Sequence, residues 1–358
     1  MKKVLVAGAS GALGKLVCQE LLRIMGKRIQ LTVTDYKTER GEQLANALKQ
    51  DVQFQFMDVD DKENVKQVIK NVDIVVVVVK QKKPHIQTAC VENKILCIDV
   101  TPFYDFVEKV KELNQKAEKN ERGSVIMSGF FPGLSGLMVK ETISYFQEVR
   151  EVNVGLLQNT NAKTGLSGIL DMLKIISQSV AFQDNIIPGF TKKKEMYFSN
   201  HNKEKEVRLI DHSERILLKD NLTAAPINYW TAWNSNSFNK MISLLKKFGL
   251  IKAIQKMNTK FLDKLVKHNP NKKEHAFLTV EVKGIVDKQE CKRILSLSTF
   301  SDYHTTAMMT AALTKLTLEK EVEGIVCPFE ITTLDELLSV MNCSELEIEK
   351  IENNIRIK

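Results

Sequence analysis

No apolar run in the chain is longer than the six residues Ile74–Val79. A bilayer span needs roughly 18, so a membrane-crossing helix is excluded by sequence. The six cysteines (18, 90, 97, 291, 327, 343) contain no Cys-x-x-Cys pair. That argues against a disulfide framework and a zinc site, and fits reduced thiols in a cytoplasmic protein. No metal site is expected. Internal repeats and low-complexity stretches are absent. So are a Ser/His/Asp arrangement and an HExxH helix. The six histidines (85, 201, 212, 268, 275, 304) have no supporting neighbours in sequence. Lys2-Lys3 and the apolar stretch after them imitate a leader, but Lys15 interrupts it early, so the N-terminus is expected to be a first strand.

What is present is a chain of 358 residues with 43% hydrophobic and 27% charged residues. At roughly 150 residues per domain this suggests two domains. The formal charge is +8 and is concentrated. Residues 240–273 hold ten lysines and one acid, Asp263, a net +9, which leaves the rest of the chain at −1. Met241, Leu244, Leu245, Phe248, Ile251, Ile254, Met257, Phe261, Leu262 and Leu265 recur there at helical spacing. The segment 240–268 therefore reads as basic amphipathic helix, broken near Gly249. Two readings follow. It covers the protein's own cleft or a partner subunit with its lysines solvated, or it makes peripheral contact with an anionic membrane. Nucleic acid is not expected as a partner, because no recognised module accompanies the lysines.

The first 147 residues alternate strand and helix. Strands are predicted at Lys3–Val6, Leu31–Asp35, Val52–Met57, Ile74–Val79, Ile95–Ile98 and Val125–Met127. Helices are predicted after Gly14, at Glu39–Lys49, at Glu63–Asn71, after Pro84 and at Phe103–Lys119. The β-branched run Ile74–Val79 reads as a strand covered on both faces, as in a parallel sheet. This is the pattern of a doubly wound α/β (Rossmann) domain. Residues 148–300 break the rhythm and read as an α+β domain with a mainly antiparallel sheet. Strands are expected at Val149–Leu157, Glu195–Phe198, Glu206–Ile210, Ala276–Val286 and Lys292–Thr299, with a helix at Gly165–Val180. A strong helix, Tyr303–Leu318, opens a last segment, 301–358, which is expected to consist of C-terminal helices.

The first strand feeds Gly8-Ala9-Ser10-Gly11-Ala12-Leu13-Gly14. Gly8 permits the tight turn, Gly11 lets backbone approach a pyrophosphate, and Gly14 lets the helix pack on the sheet. Ser10, Ala12 and Leu13 complete the loop, and the helix start offers N–H groups to the anion. Asp35 ends the next strand, 21 residues after Gly14, where a carboxylate bonds ribose hydroxyls. A carboxylate favours NAD, whereas Lys37 and Arg40 could hold the extra phosphate of NADP. The cofactor is therefore NAD or NADP, with Asp35 tilting toward NAD. Asp58 and Val59 end the third strand, where they could meet adenine, although Asp58 could equally cap the helix from Asp61 onward. The short-chain dehydrogenase mechanism needs Tyr-x-x-x-Lys, which is missing.

The segments VLVAGASGALGKLV (4–17), Ile98-Asp99-Val100-Thr101, SGFFPGLSG (128–136), DYHTTAMMTAALTKL (302–316) and EGIVCPFEI (323–331) resemble the saccharopine dehydrogenase-like family. The resemblance implies a dinucleotide-binding domain, then a substrate and dimerisation domain, with a late helix returning toward the first domain. It also implies an NAD(P)-dependent oxidoreductase acting on a carbonyl or imine carbon of a small-molecule substrate, and a homodimer. Asp99, Thr101 and the loop Phe131-Pro132-Gly133 would lie around the nicotinamide, with Asp99 and Tyr104 as candidate acid/base groups. Both Asp99 and Pro132 have ordinary readings too, as helix-start residues. The family's several-carboxylate substrates need cationic clamps that are not visible here, so saccharopine itself is not expected. One departure is Lys80-Gln81-Lys82-Lys83-Pro84, where relatives often have a small-residue Asn…Gly-Pro turn. It opens the alternative of a non-catalytic dinucleotide-binding regulatory or membrane-peripheral protein.

Overall fold

The computed structural model describes residues 1–48, 51–162, 166–183, 185–255, 268–269, 271–353 and 355–357. In chain order the strands are β1 (Lys2–Ala7), β2 (Ile29–Asp35), β3 (Gln53–Phe56), β4 (Ile74–Val77), β5 (Leu96–Asp99), β6 (Gly123–Val125), β7 (Glu148–Gln158), β8 (Ser179–Phe182), β9 (Asn185–Pro188), β10 (Lys193–Met196), β11 (Lys205–Ile210), β12 (Ile227–Trp233), β13 (Ala276–Val286), β14 (Gln289–Thr299), β15 (Gly324–Val326), β16 (Glu347–Glu352) and β17 (Ile355–Ile357).

The chain forms two compact units, Met1–Leu137 with Tyr303–Asn342, and Met138–Asp302 with Cys343–Lys358. The first holds a sheet in the order β15-β6-β5-β4-β1-β2-β3. Every pairing in it is parallel. Reversal of strand order beside β1 is the doubly wound arrangement. Val4–Ala7 and Ile74–Val77 are fully buried, as expected of strands covered on both faces. Leu5, Ala7, Val75 and Val77 pack with Val65, Ile69, Ile86 and Cys90 from the helices Lys62–Ile69 and His85–Glu92. The helix Ala12–Met25 buries Gly14, Val17, Cys18, Leu21 and Met25, the stripe of an amphipathic helix. The stretch 103–119 is two helices, Tyr104–Lys111 and Asn114–Lys119, rather than one.

The second unit holds a sheet in the order β10-β11-β12-β7-β13-β14-β16-β17. It is antiparallel except where β12 runs parallel to β7. β12 was not foreseen. Its aromatic sequence, INYWTAW, is nearly all buried and lacks the polar alternation of a half-exposed strand. The helix expected over Gly165–Val180 is Leu166–Ser177; Val180 instead pairs with Ile187 in a β8–β9 hairpin, and Gly165 lies outside the described residues.

The last segment, 301–358, is not all helical. Residues 303–342 join the first unit, and β15 lengthens its sheet beside β6. Residues 343–358 add β16 and β17 to the second sheet, where Arg293 pairs with Glu352 at 3.2 Å. These strands carry many charges, as suits a sheet edge. Among the described residues no helix is long and apolar enough to cross a membrane.

Candidate dinucleotide site

The turn out of β1 is dictated by its glycines. Gly8 has φ +83, and a Cβ there would sit 2.6 Å from Cβ of Val79. A Cβ on Gly14 would sit 2.3 Å from the Gly8 carbonyl oxygen and 2.6 Å from that of Ala9. Both positions therefore demand glycine for close packing. Gly11 differs. It has an ordinary φ of −68, and a Cβ there would meet only the Gly8 oxygen, at 3.3 Å. Its other side is open, which is what close approach of a pyrophosphate requires. Gly11 is the N-cap of the helix Ala12–Met25 and lends no side chain to the first turn. Ala12 is exposed and Leu13 half-buried. The N–H groups that begin any helix lack intrahelical partners, so this first turn offers an anion both donors and the positive end of the helix dipole.

Asp35 lies at the end of β2, with a side chain only 2% exposed. Arg40 grips it: Nε lies 3.0 Å from Oδ2, and Nη2 lies 2.7 Å from Oδ2 and 2.8 Å from Oδ1. The Lys37 N–H donates to Oδ1 at 2.8 Å. Burial alone would raise the carboxyl. The Arg40 fork, the Lys37 N–H and Ser10 together hold it below the usual carboxylate range. The Ser10 hydroxyl also donates to the Arg40 carbonyl at 3.4 Å, which ties the glycine loop to this corner. Arg40 itself is 46% exposed. Its guanidinium lies 5.4 Å from the ring centre of exposed Tyr36, and the Lys37 ammonium lies 5.6 Å from the same ring.

Asp58 is exposed after β3, accepts from the Asp60 N–H at 3.0 Å, and does not cap the following helix. That cap is Asp61, which accepts from the N–H groups of Glu63 and Asn64. Val59 is half-buried against the apolar cluster of the first sheet.

On the other side of β1, beyond β4, Asp99 closes β5 and is 1% exposed. Its Oδ1 accepts the Thr101 N–H at 2.8 Å, and its Oδ2 accepts the amide of Gln87 at 2.6 Å. Burial pushes this carboxyl above its usual range, against the pull of the Thr101 and Gln87 donors. Gln87 in turn accepts from Gln81 at 3.1 Å, and the Gln81 oxygen accepts the Ile86 N–H. The Lys80–Pro84 departure thus contributes a glutamine that props the network, while the Lys80 ammonium lies 5.7 Å from the Phe103 ring. Gln81 and Gln87 were missed at the sequence level. The available signal was a polar residue on the buried face of the helix His85–Glu92, beside Ile86, Ala89 and Cys90. Tyr104 is half-buried at the start of its helix.

The Asp99 carbonyl accepts the Ser128 N–H at 3.0 Å, so the loop after β6 starts against β5. Phe131–Pro132 is a cis bond, and Gly133 has φ +119. A Cβ on Gly133 would meet the Met127 and Gly129 oxygens at 2.3 and 2.5 Å. Helix Asp302–Lys320 pins this loop. Thr306 accepts the Phe130 N–H at 3.2 Å, and Thr310 donates to the Ser128 carbonyl at 3.0 Å. The same helix reaches the glycine-loop helix, where His304 meets Glu20 at 2.9 Å.

The C-terminal ends of β1, β4, β5 and β6 are therefore stitched together. The Ala7 carbonyl bonds Val78, that of Val77 bonds Val100, and that of Asp99 bonds Ser128. Open parallel sheets bind ligands at this edge. The residues fit a dinucleotide. An uncapped helix start faces the pyrophosphate position, Gly11 leaves room for it, and a cation-bearing corner closes β2.

Residues 4–127 match the family model for the saccharopine dehydrogenase NADP binding domain. The chain is similar in fold to saccharopine dehydrogenase (L-Glu forming) from Saccharomyces cerevisiae, with TM-score 0.72, 14% identity, and 98% of this chain and 100% of that one covered. It is also similar to C. glutamicum DAP dehydrogenase in complex with DAP, with TM-score 0.50, 11% identity, and coverage of 95% and 98%. An engineered D-amino acid dehydrogenase bound to NADP+ has TM-score 0.51, 12% identity, and coverage of 95% and 98%. No curated protein matches the chain by sequence. The first domain is an NAD(P)-binding Rossmann domain, and the chain as a whole has the fold of these dehydrogenases.

Proposed function

We infer that this saccharopine dehydrogenase-like chain is an NADP-dependent oxidoreductase acting on a carbonyl or imine carbon of a small-molecule substrate. The observation that carries the reading is the Arg40-gripped Asp35 beside the uncapped helix start at Gly11–Gly14. A free carboxylate at the end of β2 would repel a 2′-phosphate. Here that charge is neutralised by a guanidinium that is itself nearly half exposed, beside Lys37. Arg40 and Lys37 would hold the 2′-phosphate, with Tyr36 beneath the adenine end. The Gly8–Gly14 turn and the N–H groups of Ala12, Leu13 and Gly14 would hold the pyrophosphate. Thr101 and Phe131–Gly133 would border the nicotinamide. Bound dinucleotide supplies or accepts the hydride. Asp99 would act as a positioning residue, since its carboxyl is spent on Thr101 and Gln87.

That last point also favours a second reading, dinucleotide binding without turnover, because Asp99 is not open to a substrate proton. Fluorescence titration of the full chain with NADPH and NADH tests the first step, and tighter binding of NADPH is expected. A panel of oxo acids, with and without amines, is then followed at the reduced-nicotinamide absorbance. Absorbance loss supports the oxidoreductase. Tight NADPH binding with a silent panel supports the second reading. Failure of both dinucleotides to bind rejects the two together.

A further inference from the structure

The helix Asn236–Lys247 has two faces, and the apolar one is turned the wrong way for a core helix. Its inward contacts come from Asn239, Ile242 and Lys246, spaced i, i+3, i+7, and from Phe238 in the first turn. The Asn239 amide exchanges hydrogen bonds of 2.8 Å with both backbone groups of Trp233, and Ile242 is buried. The Lys246 ammonium donates to the carbonyls of Ile176 and Gly189. The helix is therefore fastened to its own domain by Asn239, Ile242 and Lys246, with the Phe238 ring edge-on to Trp233 at 5.1 Å in its first turn.

The opposite face carries Met241 (45% exposed), Leu244 (56%) and Phe248 (70%), and Leu250 (47%) follows at the Gly249 turn. Exposed Lys240 and Lys247 flank them. At 3.6 residues per turn, Lys240, Met241, Leu244, Lys247 and Phe248 fall within an arc of about 120°. The whole stretch 221–262 contains no Asp or Glu. Gly249, with φ +70, ends the helix between exposed Phe248 and exposed Leu250.

We propose that the second domain docks on an anionic lipid surface through this outward face, Lys240–Met241–Leu244–Lys247–Phe248 with Leu250. The occupant must accept bulky apolar side chains and carry negative charge at the rim of that apolar region. A leaflet of anionic phospholipid offers both, with acyl chains below and headgroups at the level of the lysines. A second copy of the chain suits the face poorly. A twofold contact would bring the same basic, acid-free face against itself.

Cosedimentation of the full chain with phosphatidylcholine–phosphatidylserine vesicles, and with phosphatidylcholine alone, tests this. Pelleting is expected only with phosphatidylserine, and it should weaken as salt shortens the screening length. Lys240→Gln with Lys247→Gln should lower vesicle affinity about 30-fold. Leu244→Ser with Phe248→Ser should lower it at least about tenfold. All four side chains are exposed, so circular dichroism and NADPH affinity should stay at the wild-type level in both double variants. Equal pelleting with neutral and anionic vesicles overturns the proposal, as does no pelleting at low salt. It is also overturned if the wild-type chain is a dimer that the serine variant converts to a monomer while neither binds vesicles, because the face would then join two copies.

Discussion

Arg40 and Asp35 form a fork in which one guanidinium reaches both oxygens of a buried carboxylate, with contacts of 2.7, 2.8 and 3.0 Å. The pair turns the acid that most directly suggests NAD into the anchor of a cation. Replacing Arg40 with Ala leaves the buried Asp35 carboxylate without its guanidinium, held only by the Lys37 N–H and Ser10. NADPH affinity should then fall about 10- to 100-fold, the worth of hydrogen bonds to a charged group, with NADH affinity changing much less. Parallel fluorescence titrations measure both, and equal weakening of the two would show that Arg40 only supports the loop.

The three loop glycines should respond differently to alanine. Gly14→Ala drives a Cβ into backbone at 2.3 Å, an overpacking that should cost about 1–3 kcal/mol and nucleotide binding with it. Gly11→Ala meets nothing closer than 3.3 Å. It should leave urea denaturation unchanged within about 0.5 kcal/mol while weakening NADPH. Wild-type NADPH affinity in Gly11→Ala would argue that no pyrophosphate approaches there.

The Asp99 network predicts an asymmetry. Gln87→Leu removes the donor at 2.6 Å and should cost about 1–3 kcal/mol. Asp99→Asn keeps an acceptor for Thr101 and should cost less. Because burial raises the folded carboxyl above its unfolded value, its stabilising proton is held at low pH. That contribution is lost as pH rises from the unfolded toward the folded pKa. Asp99→Asn should therefore gain on the wild type between acid and neutral pH in urea denaturation series. An unchanged difference across that window would place the carboxyl in a more polar setting.

Glu281 behaves in the opposite sense. It is buried in β13 between Lys194 at 2.8 Å and Lys292 at 2.7 Å. Burial acts upward on its carboxyl, but the two ammonium groups hold it below the usual range. Stability from this group is present above its unfolded pKa and is lost as pH falls through the folded one. Glu281→Gln should cost about 3 kcal/mol at neutral pH, and the gap should close on acidification. A gap independent of pH would mean that shape, not charge, sets its contribution.

Much of the first domain was legible because its signals are local. Gly8, Gly11 and Gly14 lie on one turn, and Asp35 follows at the end of the next strand. The run at Ile74 is apolar throughout because both its faces are covered. The second domain was less legible. β12 pairs in parallel with β7 some 75 residues earlier, and nothing in INYWTAW announces that partner. The stretch at 347–352 becomes a strand by pairing with β14, where Arg293 faces Glu352 and Ile294 and Leu297 face Ile351 and Ile348. Asp61 rather than Asp58 caps its helix, a shift within the usual error of reading a helix start.

By itself the sequence determined the alternation of strand and helix, the glycine turn and the concentration of lysine after residue 240, since each depends on neighbours within a turn or a strand. Tertiary structure decided whether those residues are free or spoken for. Asp35 is held by Arg40, Asp99 is shared between Thr101 and Gln87, and Lys246 points inward while Phe248 points out. Such outcomes depend on which side chain meets which across the fold, and burial then sets the energy of each charge.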